Sequence, residues 1–353
     1  MLEVNATKIL GDFTLNVNFT HERGILSIIG SSGCGKSMTL KCIAGLITPD
    51  SGTITINDKT LYSTDSKINI PARLRKIGFV FQNSALFPHM SVYKNIEYGI
   101  SDKPRKIREQ AVKDIIERTH LNGLGKRFPH QLSGGQQQRC ALARTLVTEP
   151  EILLLDEPFS AADGHTKHIL ESELITIIKH NFHKPVLLVT HNIEEAYRLS
   201  DRIMIIENGR CVQTAAKDKV IDHPASVNAA RITGCKNIFP ADIISSSGKE
   251  TIIKCGEMTI SAAGIVPDKD NIFIGIRAHY INILSEQTSG INIFPCKIIE
   301  VTEGIFSTTV ITECGGNLFR AEISKTSEAL KVFRKNKKLF IQIPPEKIFF
   351  TTE

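Results

Sequence analysis

The sequence predicts an α/β protein: a mainly parallel sheet with a helical insertion, followed by a separate all-β domain. Three observations carry this. Short β-rich runs alternate with helical stretches over residues 1–235. The runs Ile152–Leu155 and Val186–Val189 are apolar without polar alternation, the pattern of strands buried on both faces. After ASVNAARITGCKNIF (225–239) the texture changes to β-type runs punctuated by Gly, Pro and Ser. A length of 353 residues leaves room for two or three domains with sizeable cores.

The strands follow from β-branched and apolar runs at 13–20, 25–30, 53–57, 76–82, 151–157, 185–191 and 202–209. Residues 165–180 and 192–200 read as helices between them. From Pro88 to Leu146 strand signals are few and helical ones many, as in KIREQAVKDIIERTHL (106–121), which predicts a helical insertion between two sheet strands. Past the boundary at 235/236, TIIKC, NIFIGIR, CKIIEV, STTVITECGGNLFRAEI and KLFIQI read as strands, with a hairpin turn at Gly315-Gly316-Asn317. No short repeat or low-complexity tract is visible.

Composition narrows the function classes. Lys and Arg total 43 against 37 Asp and Glu, and the excess of 6 lies wholly before Asn237. An excess that small and diffuse is not the clustered basic stripe of a nucleic-acid binder, and no nucleic-acid partner is expected. No window approaches the ~18 consecutive apolar residues of a membrane span. The start, MLEVNATKIL, lacks the basic and apolar regions of an export signal. The eight cysteines include no CxxC pair and no metal-ligand spacing, so reduced thiols are expected. The basic run KVFRKNKK (331–338) reads either as a solvated turn or as a dock for nucleic acid or anionic lipid.

The sharpest local signal is GSSGCGKS, directly after the run 25–29 and before a helical stretch. A triphosphate needs close backbone N–H donors, a helix N-terminus, a point positive charge and a hydroxyl for its metal. Gly30, Gly33 and Gly35 let the backbone wrap the phosphates, with Ser31, Ser32, Cys34 and Met38 completing the loop. Lys36 reaches the β and γ oxygens, and Ser37 is a Mg²⁺ ligand. The pattern resembles the phosphate-binding loop of P-loop NTPases, so a nucleoside triphosphate and Mg²⁺ are the expected ligands. Cys34, at a helix N-terminus beside Lys36, is expected to have a lowered thiol pKa.

ILLLDEP (152–158) puts Asp156 and Glu157 at the end of a buried strand, where open α/β sheets bind ligands. Asp156 would support Mg²⁺ and Glu157 would polarise the attacking water. Taken alone, the pair also reads as two solvated acids at a strand end. LSGGQQQR (132–139) offers a second anion cradle at a helix start through Ser133, Gly134, Gly135 and Gln136. One chain has no obvious use for two cradles on one nucleotide. A head-to-tail dimer, each cradle completing its partner's site, accounts for both.

These residues resemble the ABC-transporter ATPase family. Walker A lies at 30–37, the signature at 132–139 and Walker B at 152–157. A Q-loop glutamine stands at Gln82, a D-loop at 160–163 and a switch histidine at His191, which read alone is equally a packing histidine. The resemblance covers 1–235. It implies two ATPs sandwiched in a homodimer, Gln82 near the metal and the transporter interface, and His191 at the γ-phosphate. It places the protein on the cytoplasmic face of the membrane, working through a separate permease and its extracytoplasmic binding protein. Relatives stack an aromatic side chain on adenine; here only Phe13 and Phe19 precede the loop, neither at the usual spacing. Ala162 stands where leucine is common in the D-loop.

The segments LFPHMSVYKNIEYG (86–99), FPHQLSGGQQQR and GIRAHYI (275–281) are similar to importers of anions, metals and sugars. SGINIFPCKIIEV (289–301), ISKTSEALKV (323–332) and LFIQIPPEKI (339–348) look like the OB-like, MOP/TOBE-type β module of oxyanion importers, with Ser289 and Asn292 matching an oxyanion-binding opening. The chain looks like molybdate-importing ATPases, with sulfate, tungstate or ferric-ion import as same-scaffold alternatives. A non-transport ABC protein with a nucleic-acid-binding β domain is the alternative of another class. Pro344 and Pro345 stand where those modules carry a Lys and a hydroxyl residue, and prolines donate no N–H.

Overall fold

Strand pairing in the first 63 residues is set by alternation. The computed structural model describes residues 1–160, 164–248, 250–264, 266, 271–325 and 339–353. β1 (Leu2–Leu10) and β2 (Phe13–His21) alternate buried and exposed residues and pair antiparallel. β3 (Ile25–Ile29) is buried throughout and leads through the phosphate loop into α1 (Lys36–Ala44). β4 (Ser51–Ile56), β5 (Lys59–Ser63) and β6 (Ile68–Asn69) extend the antiparallel edge, and β7 (Ile77–Val80) returns to the parallel part. α2 (Val92–Tyr98), α3 (Arg105–Arg118) and α4 (Gly134–Leu146) form the expected helical insertion. β8 (Ile152–Asp156), α5 (Gly164–Asn181), β9 (Val186–Val189), α6 (Ile193–Leu199), β10 (Arg202–Glu207) and β11 (Arg210–Ala216) complete the unit.

These strands make one sheet in the order β6-β5-β4-β1-β2-β11-β10-β3-β9-β8-β7. Its β10-β3-β9-β8-β7 half is parallel. Both faces are covered, as apolar runs without alternation require. Ile152 and Leu154 pack with Leu40 and Ile43 of α1 on one side. Leu153 and Leu155 pack with Leu142 of α4 and Leu174 of α5 on the other. Register then aligns the strand ends: Val80 sits beside Leu155, Asp156 beside Val189, and Val189 beside Ile28. The segments carrying Gly30, Gln82, Asp156, Glu157 and His191 therefore all leave the same carboxyl edge.

The second unit is Asp218–Glu353, the first being Met1–Lys217, so the division falls earlier than the expected 235/236. The reason is visible in α7 (Lys217–Asp222) and α8 (Val227–Ile232). Arg277 donates to the carbonyls of Ile221 and Thr233, and Ala230 and Cys235 pack on Phe349. These helices are thus bonded to the β domain that follows them. Its strands are β12 (Asn237–Pro240), β13 (Asp242–Ser246), β14 (Glu250–Cys255), β15 (Met258–Ala263), β16 (Ile272–Ile276), β17 (Asn282–Leu284), β18 (Ile293–Glu303), β19 (Ser307–Cys314), β20 (Asn317–Ser324), β21 (Leu339–Gln342) and β22 (Phe349–Thr352).

They form two three-stranded sheets and a five-stranded antiparallel sheet, β17-β21-β18-β19-β20, around one apolar core, as an OB-like all-β reading expects. The expected hairpin turn is one residue shorter than read from sequence. Asn317 pairs with Cys314, leaving Gly315 and Gly316 at φ +52 and +79, a two-residue turn that favours glycine. D-loop residues 161–163, most of 323–332 and the whole basic run 331–338 lie outside the described residues.

No helix among the described residues is long and apolar enough to cross a membrane. All eight cysteines stand as free thiols.

Candidate active site

The aligned strand ends enclose a cleft of about 520 Å³ lined by Ser32, Gly33, Gly35, Lys36, Ser37, Met38, Glu157 and His191, with Lys41 and Ile47. The loop 30–35 is built around glycine. Gly35 is the N-cap of α1 at φ +107, and a Cβ there would meet Leu15 Cδ1 at 2.7 Å and the Phe13 ring at 3.3 Å. Lys36 is 7% exposed and donates to the carbonyls of Gly30 (3.0 Å) and Ser31 (2.9 Å), so its ammonium is held at the loop. Ser37 Oγ donates to Asp156 Oδ1 at 2.7 Å, joining the helix start to the end of β8. A hydroxyl and a carboxylate so placed are a hard-oxygen donor pair of the kind Mg²⁺ takes.

Glu157 stands beside His191, Nδ1 to Oε2 at 3.4 Å. Its backbone is in the left-handed region at φ +46, and it precedes Pro158. That conformation costs a non-glycine residue about 1–2 kcal/mol, and a following proline restricts the backbone further. Three bonds hold it: the Glu157 N–H donates to Val189 O at 3.1 Å, and its carbonyl accepts from the Ser160 N–H (3.2 Å) and Oγ (3.0 Å). The switch turn is tied as tightly. Thr190 Oγ1 accepts from Asn192 N at 3.1 Å, and Asn192 caps α6 through Glu194 N and Glu195 N.

The structure does not gather every residue the sequence singles out. Gln82 and Ser31 are exposed, Gly30 and Cys34 are buried, and none of the four is in the lining of the cleft. Ser133, Gly134, Gly135 and Gln136 begin α4 away from this cleft, in a capping box in which Ser133 Oγ accepts from Gln136 N (3.3 Å) and Ser133 N donates to Gln136 Oε1 (3.1 Å). The expected lowering of the Cys34 thiol is overturned. Burial pushes it up, and Lys36 only partly opposes this, because the side chain is 4% exposed and packed in the core.

Two cleft residues escape a motif reading. Lys41 lies one turn beyond Ser37 on the same helix, where helical periodicity sets it on the face of Ser37; Ile47, in the loop after α1, carries no such signal. Phe13, off the usual spacing, nonetheless lies against the loop at Gly35.

In the second unit, Ser289 and Asn292 do not converge on a cavity. Ser289 is exposed, while Asn292 is 8% exposed and spends its amide on the fold. It donates to Ser261 O (2.6 Å) and Ile343 O (3.0 Å) and accepts from Ser261 N (2.8 Å). Pro344 and Pro345 open a short 3-10 turn. No cluster of His, Cys, Asp or Glu suited to a metal ion occurs among the described residues.

The chain is 33% identical to the molybdenum import ATP-binding protein ModC of Haemophilus influenzae over 97% of its own length and 98% of that protein's. The chain belongs to the ABC transporter family. The family model, ABC transporter, matches residues 14–160 of this ABC protein, from β2 to the turn after Walker B. The Fe(3+) ions import ATP-binding protein FbpC of Agrobacterium fabrum is 36% identical over 81% of the chain and 80% of the relative. The molybdate/tungstate import ATP-binding protein WtpC of Archaeoglobus fulgidus is 43% identical over 60% of the chain and 85% of the relative. Among solved structures, the dimeric post-hydrolysis state of the ATP-binding cassette MJ0796 bound to ADP and Pi superposes with a TM-score of 0.51 at 29% identity, covering 62% of this chain and 99% of that one.

Proposed function

We propose that this ABC protein is the ATP-hydrolysing subunit of an importer, acting as a homodimer that drives a separate permease, and that the cargo is an oxyanion, molybdate first. The observation that supports this most is the pairing of the 2.7 Å Ser37–Asp156 contact with Glu157 and His191 around one cleft. The similarity to ModC, which extends through both units, supports the choice of molybdate.

In this reading backbone N–H groups of 30–37 and the Lys36 ammonium bind the β- and γ-phosphates. Ser37 and Asp156, with Gln82, would hold Mg²⁺, which would neutralise charge on the phosphate oxygens when bound. Glu157 orients the attacking water and draws its proton, while His191 donates to the γ-phosphate. Ser133 to Gln136 of the partner subunit in the dimer complete the site from across the interface. The protein sits at the cytoplasmic face of the membrane as a peripheral subunit, and an extracytoplasmic binding protein delivers cargo to the permease. The second unit serves dimerisation and regulation as an MOP/TOBE-type module; the commitment of Asn292 to three internal bonds argues against an oxyanion site at Ser289 and Asn292.

The test is uptake. Deleting the chain and restoring it on a plasmid should abolish and recover accumulation of molybdate while ferric iron and sulfate are unaffected. Loss of iron uptake alone would move the cargo to the FbpC-like reading.

A further inference from the structure

We infer that Gln138 is a positioning residue for hydrolysis, holding Glu157 in its working conformation by gripping the next carbonyl in the chain. Gln138 lies on α4, one turn inside the signature helix, and is 7% exposed. Its Nε2 donates to the carbonyl oxygen of Pro158, twenty residues further along the chain. Pro158 follows Glu157, the one residue at the end of β8 whose backbone is left-handed. The bonds to Val189 and from Ser160 secure Glu157 itself, and Gln138 secures the carbonyl of the residue after it. Released at Pro158, the turn has every reason to relax, because both the side chain and the following proline disfavour φ +46.

The amide is costly where it stands. Its Oε1 is buried without a partner, a cost that a methionine of similar shape would not carry, although methionine would also take the donor from the Pro158 carbonyl. A buried amide with half its bonding unmet is explained by the half that is used. The bond also joins two parts of the first unit, the helical insertion and the catalytic strand. Any shift of α4 relative to β8 would therefore reach Glu157 directly.

This rests on the reading of Glu157 as the carboxylate that handles water. Gln138→Met removes the donor at constant volume, and Gln138→Asn keeps a polar amide but withdraws it by one methylene. In the full chain, steady-state Mg·ATP hydrolysis by each should show kcat reduced tenfold or more. KM, and the affinity for trinitrophenyl-ATP, should stay within twofold, with an unchanged urea midpoint for at least one variant. In a Glu157→Gln background, Gln138→Met should alter the residual single-turnover rate by less than twofold. A kcat within threefold of the parent, a parallel loss of nucleotide affinity, or additive losses in the double variant would overturn the proposal. Near-parent turnover by Glu157→Gln alone would instead refute the reading on which it rests.

Discussion

Ser37 Oγ and Asp156 Oδ1 meet at 2.7 Å although 119 residues separate them in sequence. The contact places the first residue pair of α1 against the end of β8, and both oxygens are the kind a hard dication takes. Ser37→Ala and Asp156→Asn should each raise the Mg²⁺ concentration needed for half-maximal ATPase by tenfold or more. Binding of metal-free ATP should change by less than threefold. An unchanged Mg²⁺ dependence in Asp156→Asn would separate this pair from the metal.

Cys34 should be a slow thiol despite its place in the phosphate loop. Burial pushes its pKa up, so the nucleophilic thiolate is scarcer at neutral pH than in a free cysteine. Alkylation by iodoacetamide at pH 7.5 should run more slowly at Cys34 than on glutathione, accelerate as pH rises through 9, and be blocked further by ATP. Labelling faster than glutathione at pH 7.5 would contradict this. Peptide mapping is needed to assign the label among eight thiols.

Asn292 should behave as a structural residue. Asn292→Ala leaves the N–H and C=O of Ser261 and the C=O of Ile343 without their partner, at a cost of about 2–4 kcal/mol. Urea unfolding measures that loss. Calorimetry of the parent chain with molybdate should show no heat assignable to this residue, and molybdate binding abolished by Asn292→Ala in a chain of unchanged stability would reverse the assignment.

His21 predicts a pH dependence. It is 1% exposed, its Nε2 lies 3.0 Å from Gly24 O and its Nδ1 has no partner. Burial, against the pull of the Gly24 carbonyl, lowers its pKa below 6.5. The folded state therefore resists a proton that the unfolded chain accepts. The stabilisation is fully present above pH 6.5 and is lost as pH falls toward the folded pKa. Thermal melts from pH 7.5 to 5.5 should show a decline that is shallower in His21→Leu. Parallel curves would remove His21 as a cause.

Much of this was legible in the sequence because the signals were local. The apolar runs of β8 and β9 show burial on both faces without any knowledge of their neighbours, and the glycines of 30–35 mark a loop that only phosphate chemistry explains. β1 was less legible, since the apolar layer against which Leu2, Val4 and Ala6 pack, Leu40 and Ile43 of α1 among it, is supplied by the fold. The helices α7 and α8 read as part of the first domain until Arg277, some 45 residues later, is seen to bind their carbonyls. Cys34 misled because a helix N-terminus and a lysine are visible in sequence whereas the depth of burial is not. Gln138 repeats the lesson at the site itself. Its motif is evident, but its partner Pro158 is supplied by the fold.

The most direct test of the account is Glu157→Gln in the full chain. The substitution keeps the shape of the side chain and its place near His191, and removes the carboxylate that would draw the proton from water. The account predicts nucleotide affinity within threefold of the parent, ATP-dependent dimers that accumulate instead of turning over, and kcat reduced by two orders of magnitude or more. Turnover within tenfold of the parent, with ATP still bound, would contradict it.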